Sequence, residues 1–195
     1  MGLQCFNEMR QSLGFARQCG LEHAKRKYHC IDADTFYSPK YIDMMMDKLS
    51  PSGVSFISSF WSFIQNDKHS SFGLFLFELV RDAFLYLQHF KRSELCARGM
   101  VFAFKTDLAR KVTIRADVLR GKDCSLALSL KPYGKISFLY NRQTRPDTGN
   151  DTKVSQSLLQ SFIHHVKIRG KGISRIFLKK EYYEYSEVKL VKSIQ

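Results

Sequence analysis

Asp32 and Asp34 stand one residue apart at the end of a short β-friendly run, in the stretch YHCIDADTFYSP at positions 28–39. In extended backbone, side chains at i and i+2 point to the same side. Two carboxylates so placed can hold one hard divalent cation, Mn2+ or Mg2+, which in turn grips a diphosphate. Acids at strand ends also have a plainer use, satisfying the amides of the loop that follows. Other reactive side chains make weaker patterns. His29-Cys30 and Cys124 have no spacing that supports a triad, and a buried thiol is the commoner fate of such a cysteine. His164 and His165 are adjacent on a predicted helix and face different ways, which argues against a shared metal.

The acids need an element to carry them. Tyr28, Cys30 and Ile31 predict a strand leading into Asp32, and Ser38-Pro39 predicts the start of a helix, with a capping hydroxyl and a proline in the first turn. The pair therefore belongs where a strand ends and a loop begins, the position at which α/β proteins bind ligands.

Further along the chain, residues 7–27 read as a helix and 39–49 as a second, stopped by Ser50-Pro51. GVSFISSFWSF alternates in strand fashion, and residues 70–91 predict a long aromatic helix. GMVFAFKTDLARKV predicts a strand turning into a short helix. DCSLALSLKPYG predicts a helix ended by Gly134, KISFLY a strand, and 141–152 a loop. Residues 153–169 predict another helix, followed by a basic, tyrosine-rich tail. Strands alternating with helices predict an α/β fold with a mostly parallel central sheet.

Composition bounds the rest. At 195 residues, 44% hydrophobic and 25% charged, the chain is long enough for a substantial core. The excess of 31 Lys+Arg over 18 Asp+Glu, a formal net charge of +13, implies anionic company: nucleic acid, lipid headgroups or phosphorylated substrates. Five widely spaced cysteines with no Cys-x-x-Cys pair fit a reducing compartment and neither a zinc ribbon nor a disulfide framework. Glu8 and Arg10 fall where a signal peptide needs an apolar core, and Phe6 stands where myristoylation favours serine or threonine. No apolar stretch approaches the roughly 20 residues that span a bilayer. The expectation is a cytoplasmic protein.

The segment SLGFARQCGLEHAKRKYHCIDADTFYSPKYIDMM resembles the part of family 2 glycosyltransferases in which a helix of the form S-x-G-x-A-R-N-x-G-L-x-x-A-x-G-x-Y leads into an Asp-x-Asp strand. Ser12, Gly14, Ala16, Arg17, Gly20, Leu21, Ala24 and Tyr28 fall on that pattern, with Gln18 in place of asparagine and Arg26 in place of glycine. LCARGMVFAFKTDLARKV looks like the family's acceptor-side segment, and VLRGKDCSLALSLKPYGKISFLY is similar to its R-G-E-D-x-x-L-A-L block. The resemblance covers about residues 10–145. It implies an α/β sandwich of GT-A type using a nucleotide-diphosphate sugar as donor and a glycan or lipid-linked acceptor, in cell-surface polysaccharide synthesis. By the same resemblance Asp34 and Asp32 bind the divalent cation and donor, and Asp123 is the base that deprotonates the acceptor hydroxyl. Arg145, just after the last motif strand, falls where the family places basic residues near the diphosphate. Asp123 is also well placed to cap the helix that follows it.

Two departures from the pattern stand out. Lys122 replaces the acid that precedes the base in the family. The strand-helix-strand unit that opens the family's domain, with its P-x-x-N-E and D-x-S-x-D turns, has no counterpart in these residues. The expected organisation is accordingly a partial GT-A domain over 1–150 and a C-terminal helix and basic tail over 151–195, with an open sheet edge beside residues 28–34.

In the long aromatic helix, Phe72, Phe75, Leu76, Leu79, Ala83, Leu87 and Phe90 form a stripe expected to face the core. Phe77, Phe84 and Tyr86 leave aromatic surface elsewhere, which with neighbouring Lys and Arg suits peripheral contact at the inner face of a membrane. The tail from 166 to 192, with eight Lys/Arg against three Glu, would add electrostatic pull. Two other classes remain open: a non-catalytic glycan- or membrane-binding remnant, and a basic nucleic-acid-binding protein. The second is disfavoured, because no helix-turn-helix, zinc finger or aromatic RNA-binding signature is present.

Overall fold

The computed structural model describes residues 6, 8–10, 13–24, 28–29, 35–65, 70–115, 118–148 and 184–185. Asp32, Asp34, Cys30, the predicted helix at 153–169 and nearly all of the tail lie outside them. The fold is α/β. Helix α1 (Leu13–His23) leads to strand β1 (Tyr28–His29), then β2 (Thr35–Phe36) and α2 (Pro39–Leu49). Strands β3 (Val54–Ser59) and β4 (Ser62–Phe63) precede the long helix α3 (Ser71–Arg92). There follow β5 (Phe102–Phe104), α4 (Thr106–Ala109), β6 (Val118–Arg120), α5 (Lys122–Leu130), β7 (Lys135–Leu139), β8 (Asp147–Thr148) and β9 (Glu184–Tyr185).

Local chemistry explains the helix starts. The Ser38 hydroxyl accepts from the Tyr41 amide at 3.2 Å, with Pro39 first in α2. Ser70 does the same for α3 through the Gly73 amide at 3.1 Å.

The central sheet has the order β1-β5-β3-β7. It is mixed, not mostly parallel as expected. The β3–β7 pair is parallel, while β5 is antiparallel to both β1 and β3. The reason lies in the connection. The chain leaves β3 and re-enters at β5 at the same end of the sheet, with Ser58 opposite Phe102 and the Ser59 amide bonded to the Val101 carbonyl at 3.1 Å. The segment that holds α3 thus returns to the end it left and is not a crossover, and alternation of strand and helix does not by itself fix direction. Strands β1, β3 and β7 consequently point the same way, toward the end where β5 begins. Among the described strands, β1 has β5 as its one neighbour in the central sheet; residues 30–34 of the expected open edge lie outside the described residues.

Side chains alternate across this sheet. Phe56, Phe102, Phe104 and Ile136 pack with Leu21 of α1 and Leu126, Ala127 and Leu130 of α5. On the other face Ile57, Ala103 and Leu139 pack with Tyr41, Met45 and Leu49 of α2. A third cluster joins Phe138 to Leu85 of α3, Phe60, Trp61 and Val101. A small second sheet, β2-β8-β4, ties the residues just after Asp34 to the loop after β7, with a Thr35–Thr148 hydroxyl bond of 3.0 Å. Strand β9 pairs antiparallel with β6, Val118 opposite Tyr185.

The stripe expected to face the core from α3 faces solvent. Phe72 is 75% exposed, Leu87 60% and Phe90 80%, while Leu74, Glu78, Arg81, Asp82, Leu85 and Gln88 are buried. Helical periodicity identifies the more apolar face and assigns it to the core. Here the inward face is instead held by polar partners remote in sequence. The Glu78 carboxylate accepts from the Ser62 hydroxyl at 2.9 Å and the Phe63 amide at 2.8 Å, and Asp82 accepts from Arg142 at 3.1 Å and Arg145 at 3.4 Å. The Arg81 guanidinium also donates to the Trp61 carbonyl and lies 4.3 Å from the Trp61 ring centroid.

Candidate functional site

Three stretches far apart in sequence meet beyond the carboxyl ends of β1 and β3. The first is α1, which projects Arg17 inward. The second is the turn Ala97–Met100 that leads into β5. The third is the start of α5. Gly121 sits at the N-cap of α5 in the left-handed region, φ 88°, where a side chain would be strained. That turn makes Lys122 the first helical residue and puts Asp123 in the first turn, where the helix dipole favours a carboxylate. The capping role weighed for Asp123 therefore belongs to Gly121. Asp123 turns its carboxylate to Arg17, which donates to Oδ1.

The pair is enclosed, with the Arg17 side chain 8% exposed and that of Asp123 23%. Arg17 also stacks toward the Phe102 ring, 5.4 Å from its centroid. Gly99 closes the corner: a Cβ there would lie 2.5 Å from Arg17 Nη2 and 3.5 Å from Asp123 Oδ2. From the segment after Asp34, the Tyr37 hydroxyl donates to the Met100 carbonyl at 2.7 Å. The chain on both sides of the paired acids is thus fastened: β1 to β5 before them, and Tyr37 to the Gly99 turn after them.

Neighbouring residues support this corner rather than react in it. Gln18, at the position where the resembling pattern has asparagine, accepts the Ile114 amide at 3.1 Å. Arg98 donates to the Ala97 carbonyl at 2.9 Å and so stiffens the turn. Cys124 is buried beside it, and burial pushes its thiol up despite the nearby Arg98, which makes it a packing residue and a poor nucleophile.

Arg145 lies in a different environment. Its guanidinium donates to Glu78 at 2.5 Å and to Asp82 at 3.4 Å, and Arg142 contacts Asp82 at 3.1 Å. Arg145 therefore locks the loop after β7 onto α3. Asp32 and Asp34 fall between β1 and β2, outside the described residues. Among the described residues no three His, Cys, Asp or Glu side chains gather as a metal site.

The residues that sequence reasoning passed over are Arg17 and Gly99. Both stand inside the quoted motifs, but nothing in either motif alone says that they meet Asp123. Comparison of the chain with family models, with curated proteins and with solved structures gave no match.

Proposed function

We propose that this chain is the metal- and acceptor-binding part of a glycosyltransferase that takes its sugar from a nucleotide-diphosphate donor. The observation that supports this is the meeting of Arg17, Gly99 and Asp123, one from each motif segment, at the end of the sheet toward which β1 points. Asp123 is the base. Arg17 holds one carboxylate oxygen and orients the other, which takes the proton of an acceptor hydroxyl. As that proton leaves, the acceptor oxygen bonds to the anomeric carbon, and the bond to the donor's diphosphate oxygen breaks with its electron pair. Asp34 and Asp32 would hold a divalent cation, which neutralises the departing diphosphate.

A second reading has one observation in its favour. Asp123 is already committed to an arginine, as a purely structural clamp would be. The chain would then be a binding module that retains the donor's diphosphate site without turnover.

Titration calorimetry with UDP, GDP and CDP in the presence of manganese tests the proposal. The residues matching the pattern serve diphosphate and cation, and none matches the family's base-binding turns. Binding should therefore be weak, metal-dependent and unselective. Each base contact that is not made forgoes about 1 kcal/mol, so several forgo about a hundredfold in affinity. Asp34→Ala should abolish the binding. Binding that is indifferent to manganese, or that survives Asp34→Ala, overturns the proposal. With binding established, hydrolysis or transfer that disappears in Asp123→Asn favours the enzyme over the module.

A further inference from the structure

Helix α3 is built inside out. Over 22 residues, about 33 Å of helix, it turns both of its acids toward the protein and its largest apolar side chains toward solvent. Phe72, Phe75, Leu76, Leu79, Leu87 and Phe90 are all exposed, and at 100° per residue they fall on one side of the helix. Val80, Ala83 and Tyr86 fill the gaps between them, so the strip carries no charge, and its one side-chain polar atom is the Tyr86 hydroxyl. The helix cannot roll to hide this strip. Doing so would tear Glu78 from Ser62 and Phe63, Arg81 from the Trp61 carbonyl, and Asp82 from Arg142 and Arg145.

We propose that this face docks on the surface of an anionic lipid bilayer, with α3 lying in the interfacial plane. Three observations select that occupant. The first is charge. The last turn of α3 carries Lys91 and Arg92, Arg142 lies 5.7 Å from the Phe75 ring centroid, and Glu78 and Asp82 are buried. The rim is therefore cationic around an apolar centre, which is the pattern of an interfacial helix on anionic lipid.

The second concerns a copy of the same chain. Parallel self-pairing would set Lys91 and Arg92 against their equivalents. Antiparallel pairing would set them against the positive end of the partner helix, whose first turn holds no acid. At +13 the chains repel as a whole as well.

The third is the lack of polar groups. Interfaces between proteins carry about one hydrogen bond per 100–200 Å2, and this strip has almost nothing to offer one. Hydrocarbon asks for none. The helix lies on the bilayer and does not cross it, since none of the described helices is long and apolar enough to span a membrane. The docking does not depend on the chemistry at Asp123.

Co-sedimentation of the full chain with phosphatidylcholine vesicles, with and without phosphatidylglycerol, tests this. Binding should be strong to the anionic vesicles at low salt, fall as salt rises, and be weak to phosphatidylcholine alone. Leu79→Asp should weaken it about tenfold or more, because the apolar contact is replaced by a charge. Lys91→Glu should weaken it about fivefold or more. Phe72→Ser is a milder companion. All three positions are exposed, so circular dichroism should report an unchanged fold.

An environment-sensitive dye on Leu79→Cys should shift to the blue on anionic vesicles. Vesicle binding that Leu79→Asp leaves unchanged overturns the proposal, because the basic tail would then account for it. A dimer that Leu79→Asp dissociates, with no vesicle binding by the parent chain, also overturns it and names a second copy as the occupant.

Discussion

At Gly99 there is no room for a methyl group while Arg17 stays in place. The methyl carbon of an alanine would sit 2.5 Å from Nη2 of the guanidinium, so Arg17, whose Nη1 donates to Asp123, would have to shift. Gly99→Ala should therefore cost about 1–3 kcal/mol through overpacking. Arg17→Ala removes the partner of a largely enclosed carboxylate and should cost about 2 kcal/mol, a figure tempered by the partial exposure of Asp123. Urea unfolding of both variants measures these losses. In the double variant the two effects should overlap and not add, because both act through the same contact.

At the scale of elements, the sequence carried the capped boundaries well and orientation poorly. The helix expected over 7–27 covers only Leu13–His23 among the described residues, and the strand expected over GVSFISSFWSF is broken at Phe60–Trp61. Helix α2 runs from Pro39 to Leu49 as Ser38-Pro39 and Ser50-Pro51 require, because caps and proline geometry are local. The strand-to-helix turn at Lys105 was legible for the same reason, whereas the helix expected to end at Gly134 stops at Leu130 and a 3-10 turn over Lys131–Tyr133 leads on to Gly134. The face of α3 was not. Its burial is decided by Trp61, Ser62, Arg142 and Arg145, whose approach no local pattern announces. The direction of β5 was hidden likewise, since it depends on where a 42-residue excursion returns between Ser59 and Phe102. At the candidate site Asp123 was legible from its motif, but its partner Arg17, 106 positions away, was not.

The inverted helix makes a contrast that can be measured. Asp82→Ala strands Arg81, Arg142 and Arg145 around a lost acceptor and should destabilise the fold by about 3 kcal/mol or more. Leu79→Ser, on the apolar side of the same helix, should change stability by less than about 0.5 kcal/mol. A conventional amphipathic helix would give the reverse order in chemical denaturation.

For the whole molecule, His89 and Glu94 are two of the described groups that couple the fold to acid. His89 accepts from the Tyr140 hydroxyl at 2.5 Å and donates toward the Ile136 carbonyl at 3.4 Å, an arrangement that suits the neutral ring. Burial, with Lys135 and Lys48 nearby, holds its pKa below the usual 6.5. Its contribution is therefore fully present above 6.5 and is lost as pH falls below that value. For Glu94, burial opposes ionisation, but hydrogen bonds from Arg92, its own amide and Lys131 outweigh it and hold the carboxyl below the usual 4.5. That contribution is present above 4.5 and is lost at lower pH.

Both losses run in the same direction, so the thermal midpoint should step down first below 6.5 and again below 4.5. His89→Asn should flatten the upper step and Glu94→Gln the lower one. A midpoint that is flat from pH 8 to 4 in the parent chain would show that neither group is coupled to folding.

The pairing of β6 with β9 bears on how the chain comes together as it is made. Arg120, two residues before Lys122, finds its strand partner in Glu184, which is synthesised 64 residues later. At about 5–20 residues per second, that is a wait of roughly 3–13 s during which α1, the Gly99 turn and α5 can already meet. The corner around Asp123 is thus assembled early from one side and braced late from the other.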